Sequence, residues 1–278
     1  MKQEHHIKIQ KASGEKVNFS LTKLKRSLKR SGASTQDISN IVTILIDELY
    51  QGITTKEIYN RAFSLLKSKK PVYASKYKLK KAIYELGPTG FPFEQFIAEI
   101  LHHSGYQVET NQLLEGKCVT HEIDVIAVRE KEKIFIECKF HGEEGRNSDI
   151  KTPLYIHSRY QDIIYHKSED QPYNGWVATN TRFTADALQY AKCVGLYLLS
   201  WDYPKGNALK DRIDSIGLYP ITVSTQLSSK EKLFLLDKNI VLCKQLLKGS
   251  FYLDYLGISD MRKKKILDEL KSLCHVKS

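Results

Sequence analysis

The chain has 278 residues, 41% of them hydrophobic and 27% charged, with a formal net charge of +11. That length and apolar content suffice for two or three domains with a real core, which excludes a wholly disordered chain, and the charge excess favours an anionic partner. No apolar run approaches the roughly 20 residues of a membrane span, residues 1–6 hold no apolar signal core, and five cysteines without framework spacing point to a reducing, cytoplasmic setting.

In chain order, residues 7–19 read as two short β-like runs punctuated by Gly14, a hairpin. A helix follows behind Ser20 as N-cap, and a second runs over about 35–51 behind Ser34. Its apolar set is Ile38, Ile41, Val42, Ile44, Leu45 and Leu49. Thr54-Thr55 starts a third helix over 56–67, and Tyr73 to Tyr77 falls on a fourth. On residues alone this is either a small helical domain with basic, solvated faces or a nucleotide-binding unit.

The spacing of Lys11, Gly14, Phe19 and Lys23 resembles the ATP-cone, the nucleotide-binding regulatory domain of many ribonucleotide reductases. Gly52-Ile53-Thr54-Thr55-Lys56-Glu57-Ile58 and Tyr73-x-x-Lys76-Tyr77 follow in the family's order, so the resemblance spans residues 7–85. It implies binding of ATP or dATP, with Gly14 in the turn, Lys11 and Lys23 facing phosphates or ribose, and Thr55 near the base. The arginine usual after the first lysine is Ala12 here. There is no Walker A pattern, so nucleotide would act as an effector that shifts an equilibrium.

Residues 122–139 read E-I-D-V-I-A-V-R-E-K-E-K-I-F-I-E-C-K. Two apolar runs joined by a charged turn make a hairpin. Alternation puts Glu137 and Lys139 on one face and turns Cys138 away, and the obvious register brings Asp124 to Glu137. Two carboxylates and an amine then converge, a set able to hold a hard divalent cation beside a water. Alternating charge on a strand is also the mark of a solvated face. Here the acids interrupt runs apolar enough for strands buried on both sides, where charge is costly, and that favours chemistry.

The order Phe93-Glu94, amphipathic helix, Gly105-Tyr106, strand, Ile123-Asp124-Val125, strand, Glu137-Cys138-Lys139 resembles the Mrr-like branch of the PD-(D/E)XK restriction-endonuclease superfamily. The resemblance implies an α/β core and Mg²⁺-dependent (or Mn²⁺-dependent) hydrolysis of nucleic acid. Asp124, Glu137 and the carbonyl of Cys138 would bind the metal, Lys139 would orient the water, and Glu94 would be the supporting acid. Glu122, two residues before Asp124, would share its face.

Gln161 to Tyr165 fits the Q-x-x-x-Y pattern of RecB-type nucleases, with Gln161 able to bond a phosphate or the lysine; a surface glutamine beside a core aromatic is the other reading. Residues 176–180, 183–191 and 194–201 read as strand, helix and strand, an alternation that fits an α/β sheet. Cys118-x-x-His121 and Cys138-x-x-His141 mimic zinc pairs, but Cys138 falls within a strand, so core cysteines and a surface histidine are the better account.

Beyond Tyr219-Pro220 the sequence turns helical: a start capped by Ser228 or Ser229, then 241–247, 251–256, the connection Gly257-Ile258-Ser259, and 260–273. The last two resemble a helix-hairpin-helix, with Arg262, Lys263, Lys264 and Lys265 offered to DNA phosphates; an ordinary helical pair packed on the core fits equally.

The sequence therefore predicts an α/β restriction-endonuclease-like mixed sheet flanked by helices (89–222), after a mostly helical ATP-cone (1–88) and before a small helical module (223–278). The expected function is a metal-dependent DNA endonuclease regulated by ATP or dATP, in restriction or phage defence, with no membrane partner, acting as a homo-oligomer if both strands are cut. The rivals are a nucleotide-responsive DNA-binding regulator with an inactive nuclease fold and a repair or junction-resolving nuclease.

Overall fold

The protein is described by a computed structural model covering residues 7–11, 13–166 and 173–274. Residues 1–6, Ala12 and the side chain of Tyr165, each of which figured in the sequence expectations, lie outside the described residues.

The chain opens with a hairpin of β1 (Lys8–Gln10) and β2 (Lys16–Asn18), Ile9 opposite Val17. Gly14 has φ +83°, which the turn requires and a side chain would resist. α1 (Leu21–Arg30) starts where Ser20 accepts from the Lys23 amide at 3.3 Å. α2 (Thr35–Asp47) is capped by Ser34 and ends four residues short of expectation. The chain must turn there to return to the hairpin: the Gly52 amide, at φ +86°, bonds the Lys8 carbonyl, and Gln10 bonds Ile53. α3 (Thr55–Lys69) carries a capping box between Thr54 and Glu57, and α4 (Pro71–Tyr84) follows with proline in its first turn.

α5 (Phe91–His102) leads into β3 (Gln107–Glu115), β4 (Thr120–Arg129) and β5 (Glu132–Lys139), an antiparallel meander. β6 (Asn147–Ser148), α6 (Lys151–His166), β7 (Tyr173–Thr179), β8 (Arg182–Phe183), α7 (Ala185–Val194) and β9 (Tyr197–Leu199) follow. The central sheet runs β3-β4-β5-β7-β9, with β5, β7 and β9 parallel. This mixed α/β sheet flanked by helices is the arrangement expected from the sequence.

α8 (Leu209–Ile216), which the sequence did not announce, precedes the C-terminal helices α9 (Ser229–Asp237), α10 (Cys243–Lys248), α11 (Phe251–Tyr255) and α12 (Asp260–Cys274). α5 and these helices share a core with one sheet face, Val125, Ala127, Ile134, Ile136 and Cys138. Ile126, Phe135, Val177 and Leu198 on the other face pack against α6 and α7. Leu79, Ala82 and Ile83 of α4 belong to the first core, so the last N-terminal helix packs as part of the body that follows it.

The basic end of the C-terminal module is more tied down than the sequence suggests. Arg262 is bound by both oxygens of Glu231 and by the Gln226 carbonyl, and Lys263 pairs with Asp254. Lys264 and Lys265 remain exposed. Among the described residues no helix is long and apolar enough to cross a membrane, and the five cysteines are free.

Candidate active site

β4 and β5 pair down to Val125 opposite Ile136, and the next residues outward are Asp124 and Glu137. The strands part at that point. The Asp124 carboxylate, no longer beside a paired strand, accepts the Cys138 amide at 2.6 Å. Alternation also breaks here: Ile123 clusters with Ile126 on the α6 face, whereas Val125 lies on the α5 face. Opposite Asp124 on β3, between the pairs Thr110–Val125 and Gln112–Ile123, sits Asn111 with φ +53°. Asparagine tolerates that conformation better than other side chains, and such strain gathers at functional sites. Its amide reaches Glu122 at 3.4 Å and also bonds Glu94.

Three acids therefore converge from different elements. Glu94 comes from the first turn of α5, Asp124 from β4 and Glu137 from β5. Burial, then the neighbouring Asp124, push the Glu94 carboxyl up to about 7. The same two causes hold Glu137 at about 7 against the pull of Arg159. Asp124 is raised by burial, opposed by the Cys138 amide and by Arg159. For Asp124 and Glu137, burial outweighs the opposing pull of Arg159 and Lys139.

Lys139 follows Glu137 on the same strand face, as the alternation predicts. It is exposed rather than buried, and among the described residues its ammonium makes no hydrogen bond or ion pair, although its charge stabilises the ionised forms of both Asp124 and Glu137. Its main chain is fixed: the Lys139 carbonyl accepts from the Thr179 hydroxyl at 2.7 Å, and the next turn is held by Asn180, which pairs with both the amide and the carbonyl of His141 at 2.8 Å.

One expectation from the sequence needs correction, and one residue was missed. Gln161 does not reach this cluster. It is exposed, and its amide lies 3.3 Å from the His157 ring, about half a helical turn from the side of α6 that faces the acids. The residue on that side is Arg159, which the sequence reading missed. Its Nη1 donates to Glu137 Oε2 at 2.7 Å, its Nη2 donates to the Glu122 carbonyl, and its guanidinium lies over Tyr155. The signal for it was present: Ile156, Tyr160 and Ile163 form the buried stripe of α6, and Arg159 borders that stripe.

Among the described residues the members of the cysteine–histidine pairs are engaged elsewhere. His121 bonds Asp162 at 2.8 Å, and Asp162 also accepts the Cys118 and Val119 amides, which ties the β3–β4 loop to α6. Burial raises the Cys138 thiol well above its ordinary range. Among the described residues no group of three or more His, Cys, Asp or Glu side chains is gathered for a metal ion. The Asp124 and Glu137 carboxylates offer hard oxygens, the donor type that Mg²⁺ or Mn²⁺ takes.

The residues expected to hold nucleotide sit around the hairpin. Lys11 pairs with Glu15 at 2.7 Å, Gly14 is in the turn, and the bridge from Gln10 to Thr54 puts Lys11 beside the start of α3, where Thr55 is the first residue. Lys23 is exposed in the first turn of α1.

Comparison with known proteins fits this geometry. Residues 88–202 match the family described as restriction endonuclease, and residues 219–274 match the family described as AF1548-like, C-terminal. Residues 88–202 are thus a restriction-endonuclease-like domain. A curated but uncharacterized protein of Archaeoglobus fulgidus is 35% identical over 179 residues, 64% of this chain and 99% of its own length. The crystal structure of AF1548, a protein of unknown function, superposes with a TM-score of 0.56 at 30% identity, covering 67% of this chain and 98% of that one. The MspJI restriction endonuclease in complex with a 27-mer oligonucleotide gives a TM-score of 0.36 at 10% identity over 70% of this chain and 39% of its own, a likeness that carries no argument.

Proposed function

We propose that this chain, which belongs to the AF1548-like family, is a metal-dependent DNA endonuclease whose active site is built from Glu94, Asp124, Glu137 and Lys139. The observation that carries the reading is the pair Asp124 and Glu137 at the point where β4 and β5 part, with Lys139 two residues on and free to act. Asp124, Glu137 and the Cys138 carbonyl would hold Mg²⁺ or Mn²⁺. Such a cation, when bound, lowers the pKa of a coordinated water and stabilises charge on the phosphoryl oxygens. Lys139 would orient the attacking water and offset charge on the scissile phosphate. Glu94, near neutrality in its titration, would take up or release a proton beside Asp124.

The N-terminal unit, in this reading, is an ATP-cone that binds ATP or dATP through Lys11, Lys23 and Thr55 and biases access or assembly. Cutting both strands would need two sites, hence a homo-oligomer. A restriction or phage-defence role fits the family resemblance; a repair role fits the same chemistry. Arg159 favours the rival, an inactive fold that binds DNA, because its guanidinium already occupies one oxygen of Glu137.

Plasmid incubated with the purified chain, with Mg²⁺ or Mn²⁺ and with or without ATP and dATP, separates these readings. Metal-dependent cutting supports the nuclease, and its change with nucleotide gives the sign of the regulation. Salt-sensitive DNA binding without cutting under any condition supports the rival.

A further inference from the structure

A second site is suggested where α3 and α4 meet the C-terminal module, on elements that the proposed chemistry does not use. A cleft of about 300 Å³ opens there, within the size range of small-ligand sites. Four lysines line it: Lys67 from α3, Lys78 and Lys81 from α4, and Lys232 from α9.

Two of these lysines are inside the protein. The Lys78 and Lys232 side chains are 12% and 10% exposed, and both turn to one carboxylate, Glu85, at 2.6 and 3.9 Å. Lys78 also donates to the Thr222 carbonyl. A deeper acid, Glu269, acts on Lys232 through its charge, but its oxygens are already taken by Ser75, Ser224 and Thr225. Burial and the neighbouring ammonium of Lys78 lower Lys232 to about 8, the mark of a cation short of countercharge. Lys67 and Lys81 are exposed at the rim and make no ion pair among the described residues. Tyr59, stacked on Tyr77 with ring centroids 5.1 Å apart, forms part of the wall, and its buried hydroxyl has no partner among the described residues. The site thus combines crowded ammonium groups, two of them largely buried, with an idle donor in an open cleft, where an exposed basic face would have only charge.

We propose that this cleft binds the phosphoryl oxygens of a small phosphorylated ligand, making it an effector site at the junction of the N-terminal helices and the C-terminal module. Phosphoryl oxygens are also offered by a DNA backbone. Placement of two of the four lysines within the fold favours a ligand small enough to enter over a duplex lying across the surface.

Calorimetric titration of the full chain with inorganic tripolyphosphate tests this. The comparison includes Lys67→Glu with Lys81→Glu, both exposed rim residues, with the fold of the variant checked by circular dichroism. Lys25→Glu with Lys29→Glu, exposed on α1, is a charge-matched control. Saturable binding, weakened about tenfold or more by the rim exchange and little by the control, is expected. Binding of a short duplex oligonucleotide is expected to be the same in the rim variant as in the wild type. No tripolyphosphate binding, equal binding by the rim variant, equal loss in the control, or loss of duplex binding alongside would each overturn the proposal.

Discussion

Arg159 donates to Glu137 across the face of β5 at 2.7 Å, with the two side chains only 12% and 19% exposed. An ion pair this enclosed is strongly destabilising to break from one side, because the remaining charge keeps its desolvation cost. Arg159→Ala is expected to lower the stability of the metal-free protein by about 3 kcal/mol. A divalent cation should then raise the melting temperature of the variant more than that of the wild type, since it would supply the missing charge. Thermal denaturation with and without Mg²⁺ measures both; equal metal-induced shifts would show that Glu137 is not a ligand.

The titration of the acids gives a second expectation. Glu94 and Glu137 are each raised from 4.5 to about 7. Between those values the folded protein binds more protons than the unfolded chain, so stability contributed by these groups is complete below about 4.5 and is lost as pH rises to about 7. In chelator, the urea midpoint of wild type relative to Glu137→Gln should fall across that window. Metal affinity should move the opposite way, tightening as the carboxyls ionise. A difference that rises with pH would contradict the raised values.

Asn180 is fully buried and holds both main-chain groups of His141, two residues beyond Lys139. Asn180→Ala leaves an amide and a carbonyl unpaired, at about 1–3 kcal/mol. The expected kinetic effect is a lower turnover with metal affinity unchanged, because Lys139 is mispositioned while Asp124 and Glu137 keep their places. Mg²⁺ titration and turnover on the same variant read the two separately; parallel loss of both would assign Asn180 to general stability.

Glu269 joins three parts of the chain. From α12 it accepts the hydroxyl of Ser75 on α4, the hydroxyl of Ser224, and both the amide and hydroxyl of Thr225. Glu269→Ala should destabilise by roughly 2–4 kcal/mol through the donors it orphans. Because α4 shares its core with the C-terminal helices, the wild type should melt in one calorimetric transition. Two resolved transitions would mean that the N-terminal helices fold independently of the rest.

What the sequence revealed follows the range of the interactions involved. Ser20 and Ser34 were readable as caps, Thr54 as a helix start, and Ser228 as one of two candidate caps, because each bonds an amide three residues on. The meeting of Asp124 with Glu137 was readable because hairpin register follows from alternation across a short turn. The end of α2 was overrun because Leu49 continues the helical period, while the contacts that stop the helix, from Gly52 and Ile53 to β1, reach back more than 40 residues in the chain. Arg159 was hidden for a similar reason. Its place beside the Ile156, Tyr160 and Ile163 stripe was the one local signal, and the packing of α6 onto β5 is what turns it to Glu137. Gln161 drew attention through a five-residue pattern whose geometry depends on the helix's rotation, and that rotation is set by Ile156, Tyr160 and Ile163. The lysine cleft needed the C-terminal module in place, since Lys232 stands more than 150 residues from Lys78.

The most direct measurement is Mg²⁺-dependent conversion of supercoiled plasmid by the wild type beside Asp124→Ala and Lys139→Ala, at matched folding and DNA binding. The account predicts cutting by the wild type and a loss of about a hundredfold or more in each variant. Cutting that persists in Asp124→Ala at the wild-type rate would contradict it, and would place the chemistry away from the point where β4 and β5 part.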